Sequence, residues 1–96
     1  MPEGIYALKY VPPRADFITT MTDREAEAIE AHFLYLKGLY DAGRVTFVGR
    51  CENGKFGLAF VKAADSGAAE AVRAADPAVQ AGVFKAEIDE FKIIFS

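Results

Sequence analysis

The 96-residue chain contains one histidine, one cysteine and no tryptophan, and these shortages exclude several kinds of site. Transition-metal sites need three or four converging histidine, cysteine or carboxylate ligands, so we expect neither a metal nor another cofactor. The single cysteine, Cys51, cannot form an intrachain disulfide, which is typical of a reducing compartment. We therefore expect a cytoplasmic protein in which any proton-transfer chemistry depends on His32.

Concentrated positive charge and long apolar runs are also absent. The formal net charge is −3, with 11 basic and 14 acidic residues and no basic cluster, so we expect no nucleic-acid partner. No apolar run is long enough to cross a bilayer, and the residues after Met1 do not form a signal peptide, so we expect no membrane association. The 52% hydrophobic content instead predicts a single folded domain over residues 1–96.

Alternation, helical spacing and turn signals predict the element order βαββαβ. Strands are predicted at 5–11, 44–50, 56–62 and 83–95, helices at 23–42 and 63–75, a loop at 14–21 and one further turn at 77–81. The first helix begins at a capping box formed by Thr22 and Glu25 and stops at Gly43. Two right-handed crossovers on a four-stranded antiparallel sheet predict a ferredoxin-like plait of the α+β class.

Two local details follow from the same patterns. Spacing of three and four residues predicts a buried stripe on the first helix, with His32 at its border; its members are Ala26, Ile29, Phe33, Leu36 and Tyr40. In the last strand the apolar parity changes between Ile88 and Phe91. Because a strand cannot change its buried face without an extra residue or a bend, we predict a bulge or break near 89–90.

The strands carry apolar residues on both faces, although two helices can cover only one of them. On the first strand, Leu8 and Tyr10 face one way and Ile5 and Val11 face the other. A sheet with one solvated face normally alternates apolar and polar residues. We therefore expect a homodimer through the sheet face, with part of that face available to line a cavity for a small molecule.

His32 and Asp76 are the candidate catalytic residues. An imidazole transfers protons effectively when a carboxylate orients its ring and stabilises the imidazolium form. Asp76 stands at a helix break before Pro77, close to the start of the last strand in the predicted fold. Two other interpretations stay open at this point: His32 as a packed histidine of the core, and Asp76 as a capping acid of the following turn.

Several motifs resemble the YciI-like (YCII) family. They are H-F-L-Y-L-K-x-L from His32 with Gly43 downstream, Gly49 closing the second strand, D-P-A-V-Q-A-G-V-F from Asp76, and the late E-F-K at 90–92. The resemblance covers most of the chain and implies a dimeric α/β barrel built from two ferredoxin-like plaits. It also implies an active-site pair on His32 and Asp76, in a cleft near the dimer interface.

The chain departs from the family pattern at two places. Members often carry an arginine shortly before the histidine, where this chain has Ala28 and Ala31, and a proline after the second-strand glycine, where it has Arg50. Some members act as dehydrohalogenase-type lyases on ring compounds, and muconolactone-isomerase-like and monooxygenase-like proteins share the fold. A shared fold does not by itself transfer a reaction.

Two functions are therefore open. In the first, the protein is a cofactor-independent enzyme of the lyase or isomerase type, in which His32, oriented by Asp76, acts as general acid or base on a small cyclic or aromatic substrate. In the second, it is a non-catalytic dimer that binds a small ligand or a protein partner, and the two residues form a structural hydrogen bond. A cavity that reaches both residues would favour the enzyme.

Overall fold

A computed structural model of the protein describes residues 3–96 as a four-stranded antiparallel sheet with helices packed on one face. The elements are β1 (Gly4–Val11), α1 (Phe17–Thr20), α2 (Asp23–Asp41), β2 (Val45–Arg50), β3 (Gly57–Ala63), α3 (Ser66–Ala74), α4 (Pro77–Gln80) and β4 (Lys85–Phe91). The strand order β2-β3-β1-β4 is that of a ferredoxin-like plait, so the predicted α+β fold is confirmed. Met1 and Pro2, at the head of the predicted domain, lie outside the described residues.

The predicted ends of α2 are confirmed. The Glu25 N–H donates to Thr22 Oγ1 at 3.1 Å, and the Thr22 N–H donates to the Glu25 carboxylate at 2.9 Å, which completes the capping box. After the helix, Gly43 has φ of 77°, a left-handed conformation that glycine adopts without a Cβ penalty. Local hydrogen bonding and glycine geometry therefore set both ends of this helix.

The segment before α2 was predicted to be a loop, and this is wrong for Phe17–Thr20, which form the short helix α1. Arg14 closes this turn, because its guanidinium donates to the carbonyl oxygen and to Oγ1 of Thr20. The same guanidinium binds Glu25 at 2.7 and 2.9 Å, and these hydrogen bonds hold the pKa of Glu25 at about 2. Long-range side-chain contacts, which local patterns do not encode, thus fold α1 against α2.

The predicted buried stripe of α2 is rotated from the observed one. His32 is 3% exposed and Leu36 is 1% exposed, whereas Phe33 and Tyr40 are 49% and 56% exposed. The sheet therefore packs against the His32–Leu36 side of the helix, and His32 lies at the centre of the buried surface. The apolar arc of α2 is wider than the area that the sheet covers, so spacing alone misplaced its centre.

The main core lies between the sheet and helices α2 and α3. Its buried members are Leu8, Tyr10, Leu36, Val45, Ala59, Val61 and Val72. Helix α3 begins at Ser66, inside the predicted 63–75 segment, and the Asp65 side chain caps it by accepting from the Ala68 N–H at 2.8 Å. Each fully buried leucine or valine stabilises the fold by roughly 1.5–3 kcal/mol relative to exposure, and these contacts keep α2 and α3 on one face.

The bulge or break predicted near 89–90 does not occur within the strand, although β4 ends at Phe91 and not at the predicted residue 95. Strand β4 pairs with β1 in unbroken register from Lys85 to Phe91, and the register shift in the sheet lies instead in β2, between Val45 and Phe47. The change of apolar parity has another cause. Ile88 belongs to the core under the helices, while Phe91 belongs to the opposite face of the sheet and stacks on Phe60. Two apolar faces were expected of the first strand and of the sheet, but this expectation was not applied to the last strand, where it explains the parity change without a bulge.

That opposite face, called here the open face, carries a row of phenylalanines. Phe60 lies between Phe47 and Phe91, with ring centroids 5.5 and 4.9 Å away respectively. The small side chain of Ala7, which pairs with Phe60 and lies on β1 between β3 and β4, leaves room for the Phe91 ring to reach Phe60. Phe47 and Phe91 are 49% and 42% exposed, so this aromatic row is only partly covered by the described part of the chain.

Candidate functional site

Asp76 is placed by the short-range consequences of the Asp-Pro sequence. The residue before a proline is pushed into extended backbone, and Asp76 has φ of −68° and ψ of 124°. This conformation suits an N-cap, and Oδ1 of Asp76 accepts from the Ala78 N–H at 2.9 Å, with Pro77 in the first helical position of α4. The carboxylate is fully buried, so its second oxygen needs a partner from elsewhere in the fold.

His32 supplies that partner. Its Nδ1 lies 2.7 Å from Oδ2 of Asp76, and this bond joins α2 to α4 across 44 residues of sequence. Since a carboxylate oxygen accepts, the neutral ring carries its proton on Nδ1 and leaves Nε2 as the basic nitrogen. Among the described residues, Nε2 has no protein hydrogen-bond partner. The two predicted site residues are thus in direct contact.

Aromatic rings surround the imidazole and hold its plane. Tyr10 meets it edge-on with centroids 4.7 Å apart, Phe84 does so at 5.2 Å, and Phe33 lies tilted at 5.2 Å. These contacts come from three parts of the chain: β1, the residue just before β4, and α2 itself. A ring wedged between aromatic neighbours and bonded at Nδ1 has little freedom to rotate, so Nε2 keeps one direction.

A cavity of about 260 Å³ lies beside His32, between α2, the α1 segment and the ends of β2 and β3. Its lining is mostly apolar; besides His32 and Tyr10 it includes Phe17, Ile18, Ile29, Phe33, Leu36, Val48, Phe56, Leu58 and Phe84. Asp76 does not line it. The cavity therefore reaches the imidazole but not the carboxylate, which lies behind the ring. The cavity that was expected to reach both residues in an enzyme thus reaches His32 alone.

Ile18 of α1 closes one side of this cavity against the β2–β3 turn. A Cβ on Gly54 would lie 2.1 Å from Cδ1 of Ile18, and Gly54 has φ of 73°. The backbone conformation therefore favours glycine at this position, and a side chain there would also displace the Ile18 side chain from the cavity wall. The Asn53–Gly54 signal predicted this turn correctly, although sequence alone did not show that the turn forms part of the cavity wall.

Tyr10 contributes a buried hydroxyl next to the pair. It is 3% exposed, and among the described residues its Oη is the buried side-chain polar atom without a hydrogen-bond partner. Burial, followed by the nearby Asp76 carboxylate, raises the pKa of Tyr10 far above its usual value, so the phenol stays protonated. Tyr35 differs from Tyr10 in this respect, because its hydroxyl donates to the carbonyl oxygen of Val72 at 2.7 Å.

The predicted site thus acquires residues that sequence reasoning did not single out. Tyr10 was assigned only to a strand face, Phe84 only to the last strand, and Arg50 only to a departure from a family pattern. All three line the cavity with His32. The parity of β1 could have indicated Tyr10, since it places Tyr10 beside Leu8 on the face under α2. The other two depend on how the elements pack.

Other types of site find little support in the described part of the chain. Among residues 3–96, no group of three or more histidine, cysteine or acidic side chains comes together as a metal site would require. No helix within the same range has the length and hydropathy needed to cross a bilayer.

Comparison with known proteins agrees with the fold and with the motifs around both site residues. A search of curated proteins finds no match. The family model for the YCII-related domain matches residues 7–92, which include β1 through β4, His32 and Asp76. Because this match extends over most of the chain, the protein belongs to the YCII-related domain family.

Proposed function

We propose that the protein is a cofactor-independent enzyme in which His32 transfers a proton to or from a small cyclic or aromatic substrate. The observation that carries this proposal is the arrangement of His32 between a buried carboxylate and an apolar cavity. Its Nδ1 is bonded to Asp76, and its ring lines the cavity. General acid–base catalysis requires a base that a neighbouring group holds in position and that a substrate can reach. Here Asp76 would hold the ring, and the substrate would reach it from the cavity.

Asp76 supports the reaction without touching the substrate. When Nε2 takes a proton, the ring becomes a cation, and the carboxylate 2.7 Å from Nδ1 stabilises it. The reaction class that fits is removal of a proton beside a carbonyl or a leaving group, followed by return of the proton at another atom or loss of the leaving group. This corresponds to isomerase or lyase chemistry and needs no redox partner.

The cavity favours small, largely apolar rings. Phe17, Phe56 and Phe84 supply flat apolar surface, and a volume of about 260 Å³ suits a one-ring substrate. Exclusion of water by such walls strengthens the interaction between the imidazolium and the carboxylate, because the effective dielectric constant is lower than in bulk solvent.

We also propose that two copies associate through the open face. The partly exposed row of Phe47, Phe60 and Phe91 is a contiguous apolar surface of the kind that interfaces bury. Isologous pairing about a two-fold axis would cover both copies of the row at once. This assembly would form the dimeric barrel implied by the sequence resemblance.

The second candidate function, a non-catalytic binding module, is favoured by one observation. Asp76 already caps α4 and is fully buried, so the pair also serves as a structural connection between α2 and α4. In that case substitution of His32 would lower stability and leave ligand binding nearly intact. The two functions therefore differ in what a folded His32 variant can still do.

The test is proton exchange in D2O. Ring ketones and lactones are incubated with the wild-type protein, His32→Gln and Asp76→Asn, and loss of the C–H signal beside the carbonyl is followed by NMR. We expect His32→Gln to slow wild-type exchange by at least about a hundredfold, the usual contribution of a general base. Tyr35→Phe is the control, since it alters a partly buried polar residue that does not line the cavity.

Circular dichroism of each variant separates chemistry from folding. A folded His32→Gln variant that exchanges protons at the wild-type rate would remove His32 from the mechanism and favour the binding module. Halogenated rings, assayed for halide release with the same variants, then distinguish lyase from isomerase chemistry.

A further inference from the structure

The cavity beside His32 has one formally cationic side chain among its described lining residues, Arg50. It stands at the last position of β2, on the same side of the strand as Val48, which also lines the cavity. No aspartate or glutamate lines the cavity. An otherwise apolar cavity in a chain of net charge −3 therefore has a cation at its rim and a histidine deeper inside.

Among the described residues, the guanidinium of Arg50 forms hydrogen bonds through Nη1 only. Its Nη1 donates to the carbonyl oxygens of Cys51 and Glu52, at 3.1 and 3.3 Å. Within residues 3–96, its Nε and Nη2 donate to no protein atom, and no acidic side chain forms an ion pair with it. By contrast, Arg14 and Arg73 are each paired with a glutamate. The Nε–Nη2 edge of Arg50 is the edge that binds a carboxylate through two parallel hydrogen bonds.

A row of three paired residues relates the backbone of Arg50 to that of Tyr10, which is next to His32. Arg50 pairs with Gly57 on β3, and Gly57 pairs with Tyr10 on β1, whose ring contacts His32. Since neighbouring strands are about 4.8 Å apart, the backbones of Arg50 and Tyr10 are about 10 Å apart. Side chains at these two positions can therefore approach a six-membered ring from two sides.

Gly57 keeps this space open. A Cβ at Gly57 would lie 3.8 Å from Cβ of Arg50 and 4.0 Å from Cβ of Tyr10, so a larger side chain there would fill the gap between them. The space therefore has a cation at one end, aromatic walls and an imidazole at the other end. Each of these features corresponds to one part of a ring carboxylate.

We infer that the substrate is a small ring compound with a single carboxylate, which Arg50 binds while the ring carbon that exchanges its proton faces His32. This inference rests on the proposed function and specifies its substrate class. A carboxylate is favoured over a phosphate because one guanidinium edge matches the charge and width of one carboxylate. A phosphate dianion would need further positive charge, and the described lining offers only His32 in addition.

The test compares benzoate with its neutral isostere benzamide. Dissociation constants are measured by NMR titration for the wild-type protein, Arg50→Gln, Arg50→Lys and Arg44→Gln. Arg44 is the matched control, because it precedes β2 at the other end of the strand, is exposed and does not line the cavity. We expect wild-type protein to bind benzoate about tenfold more tightly than benzamide, as a charge-assisted hydrogen-bonded pair would allow.

Arg50→Gln should abolish this preference, Arg50→Lys should keep part of it and Arg44→Gln should leave it unchanged. Higher salt should reduce it, because the arginine is exposed. Equal binding of both probes, binding of neither, equal losses in Arg44→Gln and Arg50→Gln, or tighter binding of phenyl phosphate than of benzoate would each overturn the inference.

The ring signals of His32 separate this result from the proposed function. If both probes shift those signals equally, the cavity next to His32 is a ligand site and only the carboxylate assignment fails. If benzoate binds through Arg50 but the His32→Gln variant still exchanges substrate protons at the wild-type rate, the proposed mechanism fails and the assignment of Arg50 stands.

Discussion

The two faces of the sheet are both rich in apolar residues, yet they serve different purposes. The face under the helices packs Leu8 and Tyr10 against α2 and encloses the His32–Asp76 pair. The open face carries Phe60 and its neighbours without a helix above them. Apolar content therefore does not distinguish the face that the helices cover from the face that stays partly exposed.

Polar groups distinguish the two faces of the sheet. Behind the helix face, Asp76 is fully buried, and its two oxygens accept from His32 and from the Ala78 N–H. Such a pair requires a specific partner from each of two helices, so it can form only where the packing is complete. The open face instead places charged residues, such as Lys9 and Glu87, beside its aromatic row, and these side chains are exposed.

The largest effect is expected at the buried pair. His32→Ala should lower the free energy of unfolding by about 3–5 kcal/mol, because it leaves a buried carboxylate with only the Ala78 N–H as a partner. Asp76→Asn should cost less, since it removes the charge and retains an acceptor for Ala78. Urea denaturation measures both. A loss below about 1 kcal/mol for His32→Ala, on the scale of an ordinary hydrogen bond, would show that the pair is not a structural element of the helix face.

An intermediate effect is expected on the open face. Phe60→Asp should weaken self-association at least about thirtyfold, the scale of a central interface residue, while the monomer stays folded. Phe33→Asp is the matched control, because Phe33 is 49% exposed on α2 and lies off the sheet face. Sedimentation velocity over a range of concentrations measures both variants. Equal effects of the two substitutions would mean that the open face is not the interface.

The smallest effect is expected for the hydroxyls of two tyrosines, the buried Tyr10 and the partly buried Tyr35. Tyr35→Phe should lower stability by about 0.5–1.5 kcal/mol, because it removes the bond to the Val72 carbonyl oxygen. Tyr10→Phe should cost nothing or stabilise, because its hydroxyl has no partner among the described residues. Urea midpoints at equal protein concentration test this difference. A comparable loss in both variants would show that the Tyr10 hydroxyl is bonded to Asp76 in solution.

Local signals in the sequence predicted the parts of the fold that neighbouring residues control. Thr22 and Glu25 marked the start of α2, Gly43 marked its end, and Asp76 before Pro77 marked the break that begins α4. Each prediction relied on a hydrogen bond or a backbone conformation within a few residues. Such features are largely independent of tertiary context.

The predictions that failed depended on how α2 packs on the sheet and on which face of the sheet each apolar residue occupies. Phe33 and Tyr40 were placed in the core and are half exposed, and the parity change before Phe91 was taken for a bulge. In both cases the residues are apolar as the patterns require. Their surroundings depend on the angle at which α2 crosses the sheet and on the presence of two apolar faces.

The sequence by itself determined the βαββαβ order, the ends of the main helices and the two residues most suited to proton transfer. Only the tertiary structure decided that His32 is central in the buried side of α2, that Asp76 lies behind it rather than in the cavity, and that Arg50 and Tyr10 line the same space. The physical reason is the separation along the chain over which each kind of interaction acts. Caps and turns act within one or two helical turns, whereas a cavity exists only where the packing of distant elements leaves a gap.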